Sequence, residues 1–221
     1  MKKYYLAYDE RYKTIHKKGY SWSSDVNTPI VIETIEKYGI GTLEPMLEIG
    51  CGEGRDAIFL LKKGYDVLAA DVSPEAISYC KKAFPTYADK FKVEDLLKNN
   101  DGRRYKFIYS VAVVHMLLAD EDRKAFYKSV RDRLTDNGVA LIVSMGDGST
   151  ETATNVNDAF VPVERDHFSG KVVVAGTSLK TISFSRFERE INENGLLLIE
   201  KGVTSAMPEF NLLMYAVVKR A

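Results

Sequence analysis

Cysteine is scarce in this chain, with only Cys51 and Cys80 among 221 residues. With no Cys-x-x-Cys pair and so few thiols, neither a disulfide framework nor a structural zinc site is expected. The three histidines, His16, His115 and His167, lie far apart and show no His-x-x-x-His spacing, so no metal is implied. Excess charge of either sign is missing as well: 31 Lys and Arg balance 31 Asp and Glu. No global field gathers nucleic acid or an anionic membrane, and neither is expected as a partner. Long apolar runs are lacking, since residues 111–114 and 196–199 fall far short of the ~20 that span a bilayer. The Met-Lys-Lys-Tyr-Tyr start has no signal-peptide core, so a cytoplasmic location is expected. What is present is 45% hydrophobic and 28% charged, a globular profile that excludes disorder as the main state.

Short apolar runs alternate with longer amphipathic stretches, which is the pattern of an α/β protein. The runs expected as strands are residues 45–49, 66–71, 90–93, 105–111, 138–145, 196–203 and 212–219. Helices are expected between them: 55–63 stopping at Gly64, one capped by Ser73 with Pro74 first, and 121–134 capped by Asp120. Parallel strands joined by helices place a ligand at the strands' carboxyl ends. Two segments stand outside the alternation. Residues 1–44 carry Tyr4, Tyr5, Tyr8 and Tyr12 at helical spacing, then Gly19-Tyr20-Ser21-Trp22 and a second helix from Thr28-Pro29 to Tyr38; they read as a helical lid over residues 45–221, or as core packing. Residues 146–180 mix turn formers with short β-like runs and read as a substrate-side insertion.

The chemistry begins at Leu47-Glu48-Ile49-Gly50-Cys51-Gly52-Glu53-Gly54-Arg55, a strand entering a glycine-rich turn and then a helix. Alternate glycines let the backbone bend and a ligand approach, while the helix start offers amides to a carboxylate or phosphate. A dinucleotide fingerprint would put the third glycine one residue later, which argues against a dehydrogenase. Seventeen residues beyond Gly54 stands Asp71, at the carboxyl end of the next strand and suited to accept from two ribose hydroxyls. A helix cap is the competing reading, but Ser73 holds that place. Glu94-Asp95-Leu96 ends the third strand, with Asp95 suited to an adenine amine or, alternatively, to solvent or a cap.

These residues resemble the class I S-adenosylmethionine-dependent methyltransferases. Glu48-x-Gly50-x-Gly52-x-Gly54 is similar to their first motif, Asp71 to the acid closing their second strand, Asp95 to their adenine-side acid, and residues 107–111 through His115 to their fourth-strand segment. Arg133-Leu134-x-x-Asn137-Gly138 and Asn194-Gly195-Leu196 resemble the approaches to their fifth and sixth strands. Tyr20, Trp22 and Thr28-Pro29 are similar to the opening segment of the thiopurine and tellurite-resistance type. The resemblance implies a Rossmann-like, doubly wound, seven-stranded sheet, mostly parallel with its last strand antiparallel and helices on both faces. It implies S-adenosyl-L-methionine held by Trp22, Glu48, Gly50, Cys51, Gly52, Gly54, Asp71, Val72, Glu94, Asp95, Leu96, Ser110 and Val111.

After the fourth strand the chain reads Ser110-Val111-Ala112-Val113, without the Asp/Asn-Pro-Pro-aromatic signature of amine-directed nucleic-acid enzymes or an acid for magnesium. Metal-free in-line transfer to a small-molecule acceptor is the expectation. Because the donor's methyl is already electrophilic, a general base is needed only where a proton leaves early. His115 and His167 are the catalytic candidates in the titratable range, against a structural role for the first and a solvated loop for the second. A protein or RNA methyltransferase and a catalytically silent donor-binding regulatory domain remain alternatives. Nothing in the sequence bears on oligomeric state.

Overall fold

Each apolar run pairs into a sheet and each amphipathic stretch covers it. The computed structural model describes residues 3–98, 100–204 and 212–221. In chain order they form α1 (Ala7–His16), α2 (Pro29–Lys37), β1 (Met46–Ile49), α3 (Arg55–Lys62), β2 (Val67–Asp71), α4 (Pro74–Ala83), β3 (Phe91–Val93), β4 (Tyr105–Val111), α5 (Asp120–Arg133), β5 (Leu134–Met145), β6 (Thr152–Ala153), β7 (Pro162–His167), β8 (Gly170–Ala175), β9 (Lys180–Thr181), α6 (Phe184–Glu193), β10 (Leu196–Thr204) and β11 (Leu213–Arg220).

Seven strands share one sheet in the order β10-β11-β5-β4-β1-β2-β3. From β5 to β3 the neighbours are parallel, and β11 runs antiparallel between β5 and β10. The chain thus winds outward in both directions from β1 and β4, and that reversal opens a crevice at their carboxyl ends. Ile35 of α2, Leu60 of α3 and Ile77 of α4 pack with Phe107, Tyr109 and Leu141 on one face. Phe126 and Val130 of α5 and Phe187 and Ile191 of α6 pack with Ile108, Ala140 and Ile142 on the other. Each such fully buried side chain contributes ~1.5–3 kcal/mol of transfer free energy. The doubly wound sheet with helices on both faces is therefore present. No helix among the described residues is long and apolar enough to cross a membrane.

Three local expectations change. The helix expected to reach Leu134 ends at Arg133, and β5 starts at once with Leu134, which pairs with Tyr105, rather than at Gly138. Asp120 does not cap α5. Ala119 holds the cap position without a side-chain bond, and the Asp120 carboxylate instead takes donors from Lys180 and Arg186, both at 2.8 Å. The N-terminal segment divides, because Ile30, Val31 and Ile35 of α2 belong to the sheet's own core. Tyr5, α1 and the turn through Ser23 contribute to the crevice lining, and residues 1–2 of the expected lid lie outside the described ones. The insertion forms a β7–β8 hairpin whose Val172 and Val174 pack on Ile15 and Trp22.

Candidate functional site

The turn after β1 bends because three of its glycines take left-handed backbone: Gly50 at φ +75°, Gly52 at +53° and Gly54 at +81°. A Cβ on Gly52 would stand 2.7 Å from the Tyr12 hydroxyl, whereas one on Gly54 would meet Phe91 at 2.9 Å and the Cys80 sulfur at 3.1 Å. Gly52 therefore faces the cap, and Gly54 serves packing. The turn's amides are largely spent inside the protein. Gly50 and Cys51 both donate to the Ala70 carbonyl (2.8 and 3.1 Å), Gly54 to that of Cys51 (2.9 Å), and Gly52 to Asp71 Oδ2 (2.8 Å).

Asp71 ends β2 beside this turn, and its Oδ1 accepts from the Ser73 amide at 2.8 Å. Burial holds its carboxyl above the ordinary value of 3.8 despite these amide bonds, which favour the charged form. Ser73 caps α4 as expected, accepting from the Ala76 amide. Asp95 accepts from the Tyr5 hydroxyl at 3.2 Å and pairs with Lys98 at 2.5 Å. Below the turn, the Tyr109 hydroxyl donates to Glu48 at 3.1 Å. Burial pushes the Glu48 carboxyl well up, and the Asp56 charge adds to this. Asp56 itself accepts from the Thr28 amide (2.6 Å) and hydroxyl (2.8 Å), tying the start of α3 to the start of α2.

These groups line one cavity at the strand ends. Of the residues expected to hold the donor, Trp22, Glu48, Gly50, Cys51, Gly52, Asp71, Val72, Glu94, Asp95, Leu96 and Val111 lie in its wall. Gly54 and Ser110 do not. Gly54 turns toward Phe91, and alternation along β4 puts Ser110 on the face opposite Val111, its buried hydroxyl without a hydrogen-bond partner.

Neither candidate histidine lies in that wall. His115 sits in a short 3₁₀ turn, buried beside Arg123, and burial with that positive charge lowers its pKa to about 3. Burial and the neighbouring Arg123 charge both favour the neutral ring, which fits a core residue. His167 binds the cap instead: Nε2 meets the Ser21 carbonyl at 2.8 Å, Nδ1 the Ser169 hydroxyl at 2.7 Å, and the ring stacks on Trp22 at 5.7 Å.

Tyr5, Tyr8 and Tyr12 of the expected lid also line the wall, as do Asp9, Ser23, Glu53 and Met116, to which sequence reasoning gave no part in the site. The helical spacing of the tyrosines left two readings, a lid over the ligand end or core packing, and Tyr8 and Tyr12 of α1 stand in the cavity wall. Asp9 docks α1 by accepting from the Ser73 hydroxyl (2.7 Å) and the Glu75 amide (3.1 Å) at the start of α4. Arg11 lies over the rings of Tyr8 and Trp22 (4.7 and 4.6 Å) and donates to the Ala175 carbonyl of the hairpin at 2.9 Å.

Residues 47–140 match the family described as a methyltransferase domain. Among curated relatives, hemagglutinin 1 of Eikenella corrodens is 36% identical over 78 residues, 33% of this chain and 25% of its own length. The ribosomal RNA small subunit methyltransferase A of Porphyromonas gingivalis is 42% identical over 53 residues, 24% of this chain and 20% of its own. A probable S-adenosyl-L-methionine-dependent methyltransferase of Haemophilus influenzae, TehB, is 30% identical over 101 residues, 45% of this chain and 35% of its own. The matches thus span a fifth to about a third of these relatives. An S-adenosylmethionine-dependent methyltransferase from Clostridium acetobutylicum shares the fold at TM-score 0.69 and 14% identity, covering 95% of this chain and 96% of that one. A TehB-like methyltransferase from Corynebacterium glutamicum shares it at 0.59 and 21%, covering 97% and 96%.

Proposed function

We propose that this chain is a class I S-adenosylmethionine-dependent methyltransferase that transfers the donor's methyl group to a small-molecule acceptor without a metal, a reading supported by its fold and by the domain matched at residues 47–140. The observation that carries the reading is the single cavity in which the turn of Gly50 to Gly52, Asp71 and Asp95 stand at three strand ends under a roof of Tyr8, Tyr12 and Trp22. The residues fit the donor. Asp71 keeps acceptor capacity toward the cavity for ribose hydroxyls, Asp95 stands one strand further for an adenine edge, and Val72, Leu96 and Leu97 supply apolar wall for a ring.

S-adenosylmethionine supplies an electrophilic methyl carbon, so the protein's work is alignment and exclusion of water. The glycine turn and Asp71 would hold the donor, and the aromatic side chains of Tyr8, Tyr12 and Trp22 with Met116 would shield it from water. His115 and His167 are assigned no proton-transfer role, since both lie outside the cavity wall. An acceptor that reacts as a thiolate or a free amine suits such a site, because its proton is gone before transfer or leaves without a positioned base.

The roof supports a small acceptor, since an aromatic cap over the turn would keep a bound donor beneath side chains rather than on an open face. The balanced charge of 31 against 31 also favours this over RNA. Calorimetry with S-adenosylhomocysteine and NAD tests the donor site, with micromolar binding of the first and none of the second expected. Methyl transfer from radiolabelled donor to a panel of thiols, amines, peptides and RNA tests the acceptor. Label entering only RNA or peptide would overturn the small-molecule reading.

A further inference from the structure

Glu53 stands between two glycines of the turn, 6% exposed, and its carboxylate is filled. Oε1 takes the Trp22 amide at 2.7 Å and His16 Nε2 at 2.8 Å; Oε2 takes the Ser23 amide at 2.8 Å and the Ser23 hydroxyl at 2.7 Å. A carboxylate offers about four acceptor positions, and four donors from the cap occupy them. No capacity is left for a ligand, although Glu53 stands in the cavity wall. Any effect of Glu53 on the ligand therefore passes through the groups it holds.

His16 passes it on. Its Nδ1 meets Glu75 at 2.9 Å, and its ring stacks on Tyr79 at 4.6 Å and on Tyr12 at 5.8 Å. Tyr12 is 8% exposed, its hydroxyl lies over Gly52, and it makes no hydrogen bond to a described residue. That is a donor free for something in the cavity, beside a turn whose own amides are largely spent. Tyr12 stands in the cavity wall, where a bound ligand can take that donor.

We infer that Glu53 is the positioning residue of this cavity: by fastening Trp22, Ser23 and His16 to the glycine turn, it seats the Tyr12 hydroxyl over Gly52, facing the ligand. Its acceptor set matches two consecutive amides and a hydroxyl that converge on one anion, an arrangement a neutral amide does not satisfy. The claim about cap geometry stands apart from the proposed function; the claim about ligand binding rests on it.

The test uses the full chain, with Trp22, the only tryptophan, as reporter and S-adenosylhomocysteine as probe. Glu53→Gln should raise acrylamide quenching of Trp22 while far-UV circular dichroism stays native, because half of the converging donors lose their acceptor. Probe affinity should fall about tenfold or more, the loss expected for a charge-assisted bond left unmade. Tyr12→Phe alone should also weaken the probe, but should add little on the Glu53→Gln background, where the hydroxyl is already unseated. A merely structural Glu53 would show losses that add. Unchanged quenching and unchanged affinity in Glu53→Gln, or strict additivity with Tyr12→Phe, overturns the inference. If Glu53→Gln does not fold, Ser23→Ala with His16→Gln removes the latch from the cap side, and native-like quenching and affinity in that variant would equally overturn it. If the wild-type protein fails to bind the probe, the donor reading falls, and quenching alone decides the role of Glu53.

Discussion

The Gly52 amide donates to Asp71 Oδ2 across 2.8 Å, so the middle of the glycine turn and the acid that ends β2 act as one unit. The bond leaves Asp71 with a fixed orientation toward the cavity, and burial holds its carboxyl above its ordinary value. Asp71→Ala removes the acceptor from two amides and from the proposed ribose hydroxyls. S-adenosylhomocysteine affinity should drop by about 10- to 150-fold, from a loss of roughly 1.5–3 kcal/mol, and the urea midpoint should fall as well. Asp95→Ala should cost less affinity. Equal losses in calorimetry would mean the two acids have been given the wrong roles.

Gly52 cannot take a side chain without moving Tyr12, whose hydroxyl lies 2.7 Å from the place of a Cβ. Gly52→Ala should destabilise the protein by more than the ~1–2 kcal/mol of left-handed strain alone, because the clash adds to it. Adding Tyr12→Phe removes the hydroxyl and leaves the ring carbon at 3.7 Å, so part of the stability should return. Thermal unfolding of the single and double variants decides this, and no recovery would place the strain elsewhere.

His115 gives stability a pH dependence. The unfolded chain takes up a proton on this ring below about 6.5, whereas the folded chain does so only near pH 3. The contribution is complete above pH 6.5 and is lost as the pH falls, at about 1.4 kcal/mol per unit. Glu48, raised by burial, works in the opposite direction, since the folded state keeps a proton the unfolded chain has released above about 4.5. Comparison with His115→Gln cancels that term. The difference in urea stability between wild type and variant should shrink as the pH drops from 6.5 to 5, and a constant difference would show the ring to be solvated.

Arg11 joins the N-terminal helix to the inserted hairpin through two rings and the Ala175 carbonyl. A lysine keeps the charge but loses the planar stack and the two-nitrogen donation. Arg11→Lys should cost about 1–2 kcal/mol and increase Trp22 quenching. An unchanged urea midpoint would mean that Ile15, Val172 and Val174 hold the hairpin by apolar contact alone.

The strand segments, the glycine turn, the Ser73 cap and the paired acids Asp71 and Asp95 were legible from the sequence, because each depends on backbone preferences or alternation within a few residues. Even there, the helix-to-strand change at Leu134 escaped notice, since only pairing with Tyr105 makes that residue extended. The lid was expected from the aromatic N-terminal segment, but the contacts that fasten it were not. Glu53 reaches 31 residues back to Trp22, Arg11 reaches 164 residues forward to Ala175, and neither spacing has a periodic signature. Residue type did not reveal which histidine would stand near the chemistry either. His115 looked titratable until packing buried it beside Arg123, and His167 looked like a loop residue until the hairpin laid it on Trp22. Local backbone chemistry determined where a ligand can bind; only the burial and convergence produced by tertiary packing decided which side chains close over it.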